Sequence, residues 1–164
     1  MSRAADYMGR KGFTLIEIII AAAIIAVLAS AVMPLSRLAV KRRREGELRQ
    51  SLRAVRNALD EYKRAWDNGR LGRNAGESGY PPDLKTLEQG VEDAAYPGSG
   101  RRLRFLRRVP HDPMNNDAGI PAEETWGLRS YQSGPDEPEE GVDVFDVYSK
   151  SDELGLDNTP YRAW

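Results

Sequence analysis

Nineteen consecutive uncharged residues, 18–36, constrain this chain more than any other feature in it. As an α-helix rising ~1.5 Å per residue they reach roughly 28 Å, close to the hydrocarbon thickness of a bilayer. The run consists of Ile, Ala, Val and Leu with a few small or polar residues and one proline, and it is apolar on every side. A helix lying flat on a membrane needs a polar face, so the run predicts a spanning helix. A cleavable secretory signal is the competing reading, because Arg3, Arg10 and Lys11 precede the apolar core and small residues stand at Ala29, Ser30 and Ala31. Signal-peptide cores are shorter, and here Val32, Met33 and Leu35 carry the apolar character onward.

The remaining composition removes much enzymology. The chain of 164 residues has no cysteine and a single histidine, His111, which excludes a disulfide framework, a thiolate zinc site, a cysteine nucleophile and any two-histidine metal site. It has no glycine-rich phosphate loop. Charge nearly cancels overall but is polarised along the chain, net +7 over residues 37–73 and net −9 over residues 74–164. A basic stem with an acidic head orients toward anionic lipid or toward copies of itself, or else simply solvates two faces.

Beyond the apolar run, Leu48, Leu52, Val55, Leu59, Tyr62 and Trp66 advance by alternating steps of four and three, the period of an amphipathic helix. The helix is expected to run on from the membrane segment to about Asp67, where Asn68 and Gly69 form a stop signal. A helix that long has a lower half which the membrane or neighbouring helices must cover. Residues 67–79 are polar and carry four glycines, hence a loop. Residues 80–87, YPPDLKTL, open a short helix with the prolines in its first turn, Asp83 near its start, and Leu84, Leu87 and Val91 toward the core. Residues 125–131 and 142–148 have strand composition around an acidic, proline-bearing loop, and predict a hairpin with Phe145 and Val147 on one side and Val144 and Asp146 on the other. The fold class is α+β, a long N-terminal helix bearing a small head of short helix and antiparallel strands. Trp164 is expected to plug the head's core, and His111, between proline and aspartate, to be a surface or turn residue.

Glu17 stands inside the apolar block, where a carboxylate either sits at the hydrated interface or needs a partner. With its neighbours it forms a motif. Residues 10–17 read RKGFTLIE, and this resembles the type III signal of type IV prepilins and of type II secretion pseudopilins: a basic pair, glycine, phenylalanine, then glutamate as the fifth residue after the glycine. The head narrows the resemblance. YPPDL, FLRRVPHDPM and FDVYSKSDELGLDNTPYRAW together resemble the major pseudopilins of type II secretion, and the cysteine pair that usually closes the C-terminal region of type IV pilins is missing.

The resemblance implies a pilin-like ladle in four parts: a cleaved leader 1–12, a transmembrane part of the stem 13–36, a periplasmic amphipathic stem 37–67 and a head 68–164. It implies that prepilin peptidase cuts between Gly12 and Phe13 on the cytoplasmic side and N-methylates Phe13, leaving the apolar helix on the protein. The new amine and Glu17 are each costly in hydrocarbon, and Glu17 of one copy can meet the Phe13 amine of its neighbour, a weak stabiliser but a strict register. Pro34 removes a helical hydrogen bond; the resemblance associates it with unwinding on filament entry, and a tolerated kink is the alternative.

Implied partners are the peptidase, copies of the chain in a filament, minor pseudopilins, an inner-membrane assembly platform with its cytoplasmic ATPase, and inner-membrane lipid. The five arginines of residues 101–108 are read as facing a neighbour's acidic loop, with no nucleic acid expected. Calcium is implied for the loop before the C-terminus, with Asp152, Glu153 and Asp157 as ligands helped by Ser149 and Ser151. That loop is short and lacks EF-hand spacing, so an acidic turn bonded to itself is the other reading. The expected localisation is the inner membrane, single-pass, head periplasmic, although Arg37, Lys41, Arg42, Arg43 and Arg44 outnumber the leader's cations and positive-inside counting alone puts the head in the cytoplasm. The function expected is that of a non-enzymatic filament subunit for protein export. A type IV pilus subunit for adhesion, motility or DNA uptake is the first alternative, and a membrane-anchored periplasmic binding module or enzyme the second.

Overall fold

The computed structural model describes residues 12–73 and 76–164, apart from the side chains of residues 31–34. In chain order it contains helix α1 (Leu15–Asp67), helix α2 (Leu84–Gln89) and strands β1 (Val91–Glu92), β2 (Arg102–Leu103), β3 (Trp126–Arg129) and β4 (Asp146–Ser149). Short 3-10 turns occupy Ala122–Thr125 and Tyr161–Ala163. A long leading helix followed by small antiparallel pairs is the pilin-like α+β fold expected. Two compact units divide between Val40 and Lys41, inside the helix and not at its end.

The first unit is the apolar part of α1. Its most apolar 18-residue window has a mean hydropathy of 2.8, and none of that window is buried.

The second unit holds the core. Leu48, Leu52, Val55, Ala58, Leu59 and Tyr62 of α1 pack with Leu71, Leu84, Leu87, Val109, Trp126, Val144, Val147 and Tyr161. The helical period of alternating fours and threes therefore does bury one face. At the end of α1 the stop signal acts as a Schellman motif: Gly69 at φ 70° donates its N–H to Trp66 O at 2.9 Å, and Arg70 N–H reaches Ala65 O at 2.9 Å. Arg73 donates to the Trp66 and Asp67 carbonyls at 2.8 and 2.6 Å, satisfying groups the helix leaves open.

The short helix begins later than the prolines predicted. Asp83 is its N-cap, accepting from Thr86 N–H at 2.7 Å, so Pro81 and Pro82 precede the helix. Pro81 O instead accepts from Val144 N–H at 2.8 Å. Val91, expected on the helix face, lies past Gly90 in β1, which pairs with β2 in a small sheet that the sequence reading missed.

The predicted hairpin is present and antiparallel, with Trp126 opposite Ser149 and Arg129 opposite Asp146. It is shorter than expected because flanking backbone is taken elsewhere: Ser130 N–H goes to Glu139 O at 2.9 Å and Tyr131 N–H to Asp143 Oδ1 at 2.8 Å. The two-sided alternation consequently fails before residue 146. Val144 and Val147 are both buried, while the half-buried Phe145 ring packs edge-on against Tyr80 and Tyr131 at 5.0 and 5.5 Å. Tyr161 fills the core beside the C-terminus, and Trp164, expected as the plug, is partly buried and packs against that core with its ring 5.0 Å from that of Tyr161.

Candidate functional site

The junction between Gly12 and Phe13 lies ahead of α1, outside regular structure, and Phe13 is 78% exposed. A protease needs a reachable stretch of backbone outside a helix, and the exposed residues on either side of this bond offer one. Arg10 and Lys11 lie outside the described residues. The helix starts immediately afterwards through a reciprocal capping box: Glu17 N–H donates to Thr14 Oγ1 at 3.3 Å and Thr14 N–H to Glu17 Oε2 at 3.5 Å. Within the single chain, the carboxylate that the sequence leaves without a partner closes the first helical turn. Its negative charge also sits at the positive end of the helix dipole. α1 continues through residue 34, but the Pro34 side chain lies outside the described residues.

Behind this junction the apolar surface is bare. Leu15, Ile16, Ile25, Val27, Leu28 and Leu35 are each more than 60% exposed. At about 25 cal/mol per Å² of apolar surface, such a face requires lipid or other apolar helices around it.

The C-terminal loop carries the residues named for calcium. Among the described residues no three of His, Cys, Asp or Glu form a metal-holding group. Asp152 is drawn to Arg162 at 3.1 Å. Asp157 Oδ1 accepts from Thr159 N–H and Oγ1–H at 3.0 and 2.6 Å, with Arg49 3.7 Å from Oδ2. These contacts hold the Asp157 carboxyl below the usual carboxylate range, the Thr159 hydroxyl foremost among the causes. Glu153 O receives Tyr161 N–H at 3.0 Å, while Ser149 Oγ donates to buried Asp112 at 2.6 Å and Ser151 Oγ receives Glu153 N–H at 3.3 Å. The donors around this loop are nitrogen and hydroxyl groups, and the arrangement does not fit calcium's demand for six to eight converging oxygens.

Sequence reasoning passed over the residues on α1 that meet this segment. Lys41 Nζ donates to Leu154 O at 2.6 Å. Glu45, only 7% exposed, accepts at Oε1 from Leu156 N–H at 2.8 Å and from Tyr161 O–H at 3.0 Å. Burial, together with the Glu45 contact, pushes the Tyr161 hydroxyl up to about 12. Arg49 lies over the Trp164 ring at 4.3 Å, and Arg56 donates to Asp146 Oδ1 at 2.8 Å and Trp164 O at 2.7 Å. The signal available was the four-residue spacing of Lys41, Glu45 and Arg49 beside the apolar face.

The remaining candidates lie away from this segment. His111 lies half-buried outside regular structure, with its ring nitrogens 3.0 and 3.3 Å from the Asp112 and Asp117 carbonyls. In the arginine cluster, Arg101 stands 3.6 Å from buried Asp93 and Arg102 donates to Gly90 O at 2.6 Å.

Comparison with known proteins agrees with this geometry. Residues 7–33 match the prokaryotic N-terminal methylation motif. The chain is 34% identical over 119 residues to type II secretion system core protein G of Escherichia coli (strain K12), covering 70% of this chain and 72% of that protein. No solved structure matches. The motif and the fold define a type IV pilin-like protein, and the chain belongs to the family of type II secretion major pseudopilins.

Proposed function

We propose that the chain is the polymerising subunit of a type II secretion-like filament. A prepilin peptidase cuts between Gly12 and Phe13 and N-methylates Phe13. Residues 13–36 then anchor the subunit in the inner membrane with the head in the periplasm, until an assembly platform driven by a cytoplasmic ATPase draws it into a filament that minor pseudopilins complete. The work comes from those partners, and this chain is not an enzyme. The observation that carries this reading is the bare apolar face of α1 placed directly behind an accessible Gly12–Phe13 junction. Lipid covers that face before assembly and neighbouring helices cover it afterwards.

Glu17 changes partner in this scheme. In the lone subunit it closes the capping box with Thr14, and in the filament it receives the Phe13 amine of the adjoining copy. A misplaced subunit leaves both charges unpaired, which sets register. The basic flank that speaks against this topology is partly engaged within its own unit, since Lys41 is bonded to Leu154 O and Arg43 lies 2.9 Å from Glu47. Pro34 is assigned the weak point at which α1 loosens on filament entry.

Mass spectrometry of the mature protein tests the scheme, with an expected N-terminus at monomethylated Phe13. A protein that retains residue 1, or that has lost the apolar helix, overturns it. In the same strain Glu17→Ala is expected to be processed normally and to drop at least tenfold in cross-linked filament. Filaments at the wild-type level refute the assigned role of Glu17. Loss of secretion rather than of surface pili in a deletion strain separates export from the pilus alternative.

A further inference from the structure

The contacts between α1 and the C-terminal segment form one continuous device. Lys41, Glu45, Arg49 and Arg56 follow one another at steps of four, four and seven, a stripe beside the buried face of Leu48, Leu52 and Val55. Each takes a different part of the last nineteen residues: Lys41 the Leu154 carbonyl, Glu45 the Leu156 amide and the Tyr161 hydroxyl, Arg49 the Asp157 carboxylate and the Trp164 ring, Arg56 the Asp146 carboxylate and the Trp164 carbonyl. The segment also closes on itself. Gly155 N–H reaches Thr159 O at 2.7 Å across a turn in which Asn158 adopts φ 63°, Tyr161 N–H reaches Glu153 O, and Arg162 N–H reaches Ser151 O at 3.2 Å.

A calcium ion in such a loop would do two things, gathering oxygens that otherwise repel and tying the loop to the body of the head. Both tasks are filled here by nitrogen and hydroxyl donors. The Asp152 and Asp157 carboxylates face guanidinium groups, and the Leu154 and Glu153 carbonyls are occupied by an ammonium and an amide. Glu45 contributes the reverse polarity, a buried carboxylate satisfied by two donors of the segment. Its burial makes it a strict element, because removing either side leaves a polar group without a partner in a dry site.

We propose that this chain clasps its C-terminal segment to α1 with its own side chains, Lys41, Glu45, Arg49 and Arg56, in place of the metal that the family resemblance implies, so that the head folds and stays folded without calcium. The clasp lies wholly within residues 41–164 and does not depend on polymerisation, so it stands or falls separately from the filament assignment.

The test is thermal unfolding of the full chain in detergent, followed by tryptophan fluorescence, with EDTA and with millimolar calcium chloride. The expected Tm is the same in both within about 1 °C. A rise in calcium with a fall in EDTA, or saturable calcium binding by titration calorimetry, overturns the proposal. Glu45→Ala is expected to lower Tm by about 10 °C, the order associated with breaking charged hydrogen bonds in a dry site of a head this size. An unchanged Tm in that variant also overturns it. The double variant Asp152→Asn with Glu153→Gln removes two candidate metal carboxylates and is expected to shift Tm by less than about 2 °C, because both side chains lie at the exposed side of the loop. A loss matching that of Glu45→Ala assigns those carboxylates the holding role and refutes the clasp. If Glu45→Ala does not fold, the EDTA and calcium comparison on the unaltered chain decides alone.

Discussion

At the scale of single residues, the charges that matter are the ones taken out of water. Asp93 is completely buried and lies 2.5 Å from Arg70, with the Ala95 N–H at 3.2 Å and Arg101 at 3.6 Å. The Arg70 hydrogen bond is the largest of the causes that hold this carboxyl below its ordinary range. A lowered folded pKa gives stability that is fully present above the unfolded value near 4 and is lost as pH falls through the lower folded one. Arg70→Ala is therefore expected to lower the urea midpoint at pH 7, and its difference from the unaltered chain should shrink steadily as pH is taken below 4. A difference that stays constant down to pH 2.5 would show that Arg70 acts through packing alone. Neither Asp93 nor Glu45 declares itself in the sequence. Both look like ordinary members of a charge-rich surface, and only the fold decides which carboxylates lose their water.

Among the elements, two glycines illustrate how local signals differ in what they demand. Gly69 ends α1 at φ 70° with open space where a Cβ would stand. Gly90 ends α2 at φ 78° and ψ 168°, a region essentially closed to other residues, and a Cβ there would lie 2.6 Å from Leu103 O. Gly69→Ala is expected to cost about 1 kcal/mol of unfolding free energy, the left-handed penalty alone. Gly90→Ala is expected to cost about 3 kcal/mol, since strain is joined by collision with the backbone of β2. Equal losses in urea denaturation would mean that β2 yields to the new methyl group. The Asn68 and Gly69 stop was readable because it is a local matter of backbone geometry. The pairing of β1 with β2 was not readable, because two-residue strands leave no alternation to detect and their register depends on Gly90 letting Leu103 approach.

For the whole molecule, the boundary between units matters more than the end of the helix. The sequence reading places a stem at residues 37–67 and a head at 68–164, whereas the compact units divide between Val40 and Lys41. Six of the fourteen core residues, Leu48, Leu52, Val55, Ala58, Leu59 and Tyr62, belong to α1. At about 1.5 to 3 kcal/mol for each large apolar side chain buried, the five larger ones are together comparable with the ~5 to 15 kcal/mol by which a domain is normally stable. A fragment of residues 41–164 is accordingly expected to be soluble and to unfold cooperatively. A fragment of residues 68–164 is expected to lack cooperative unfolding by near-ultraviolet circular dichroism. Cooperative unfolding of the shorter fragment would show that the strands and loops hold their own core.

The amino-acid order by itself determined the apolar helix, the N-terminal methylation motif that precedes it, the amphipathic face of α1 and the presence of a hairpin near the end. Each is written in composition or in a short period, which a chain carries wherever it folds. Only the tertiary structure decided that Glu17 caps its own helix, that Tyr161 enters the core with Trp164 packed against it, and that Lys41, Glu45, Arg49 and Arg56 hold a segment about a hundred residues away. Contacts of that kind depend on which polar groups are brought together as water is excluded, and no local pattern records it.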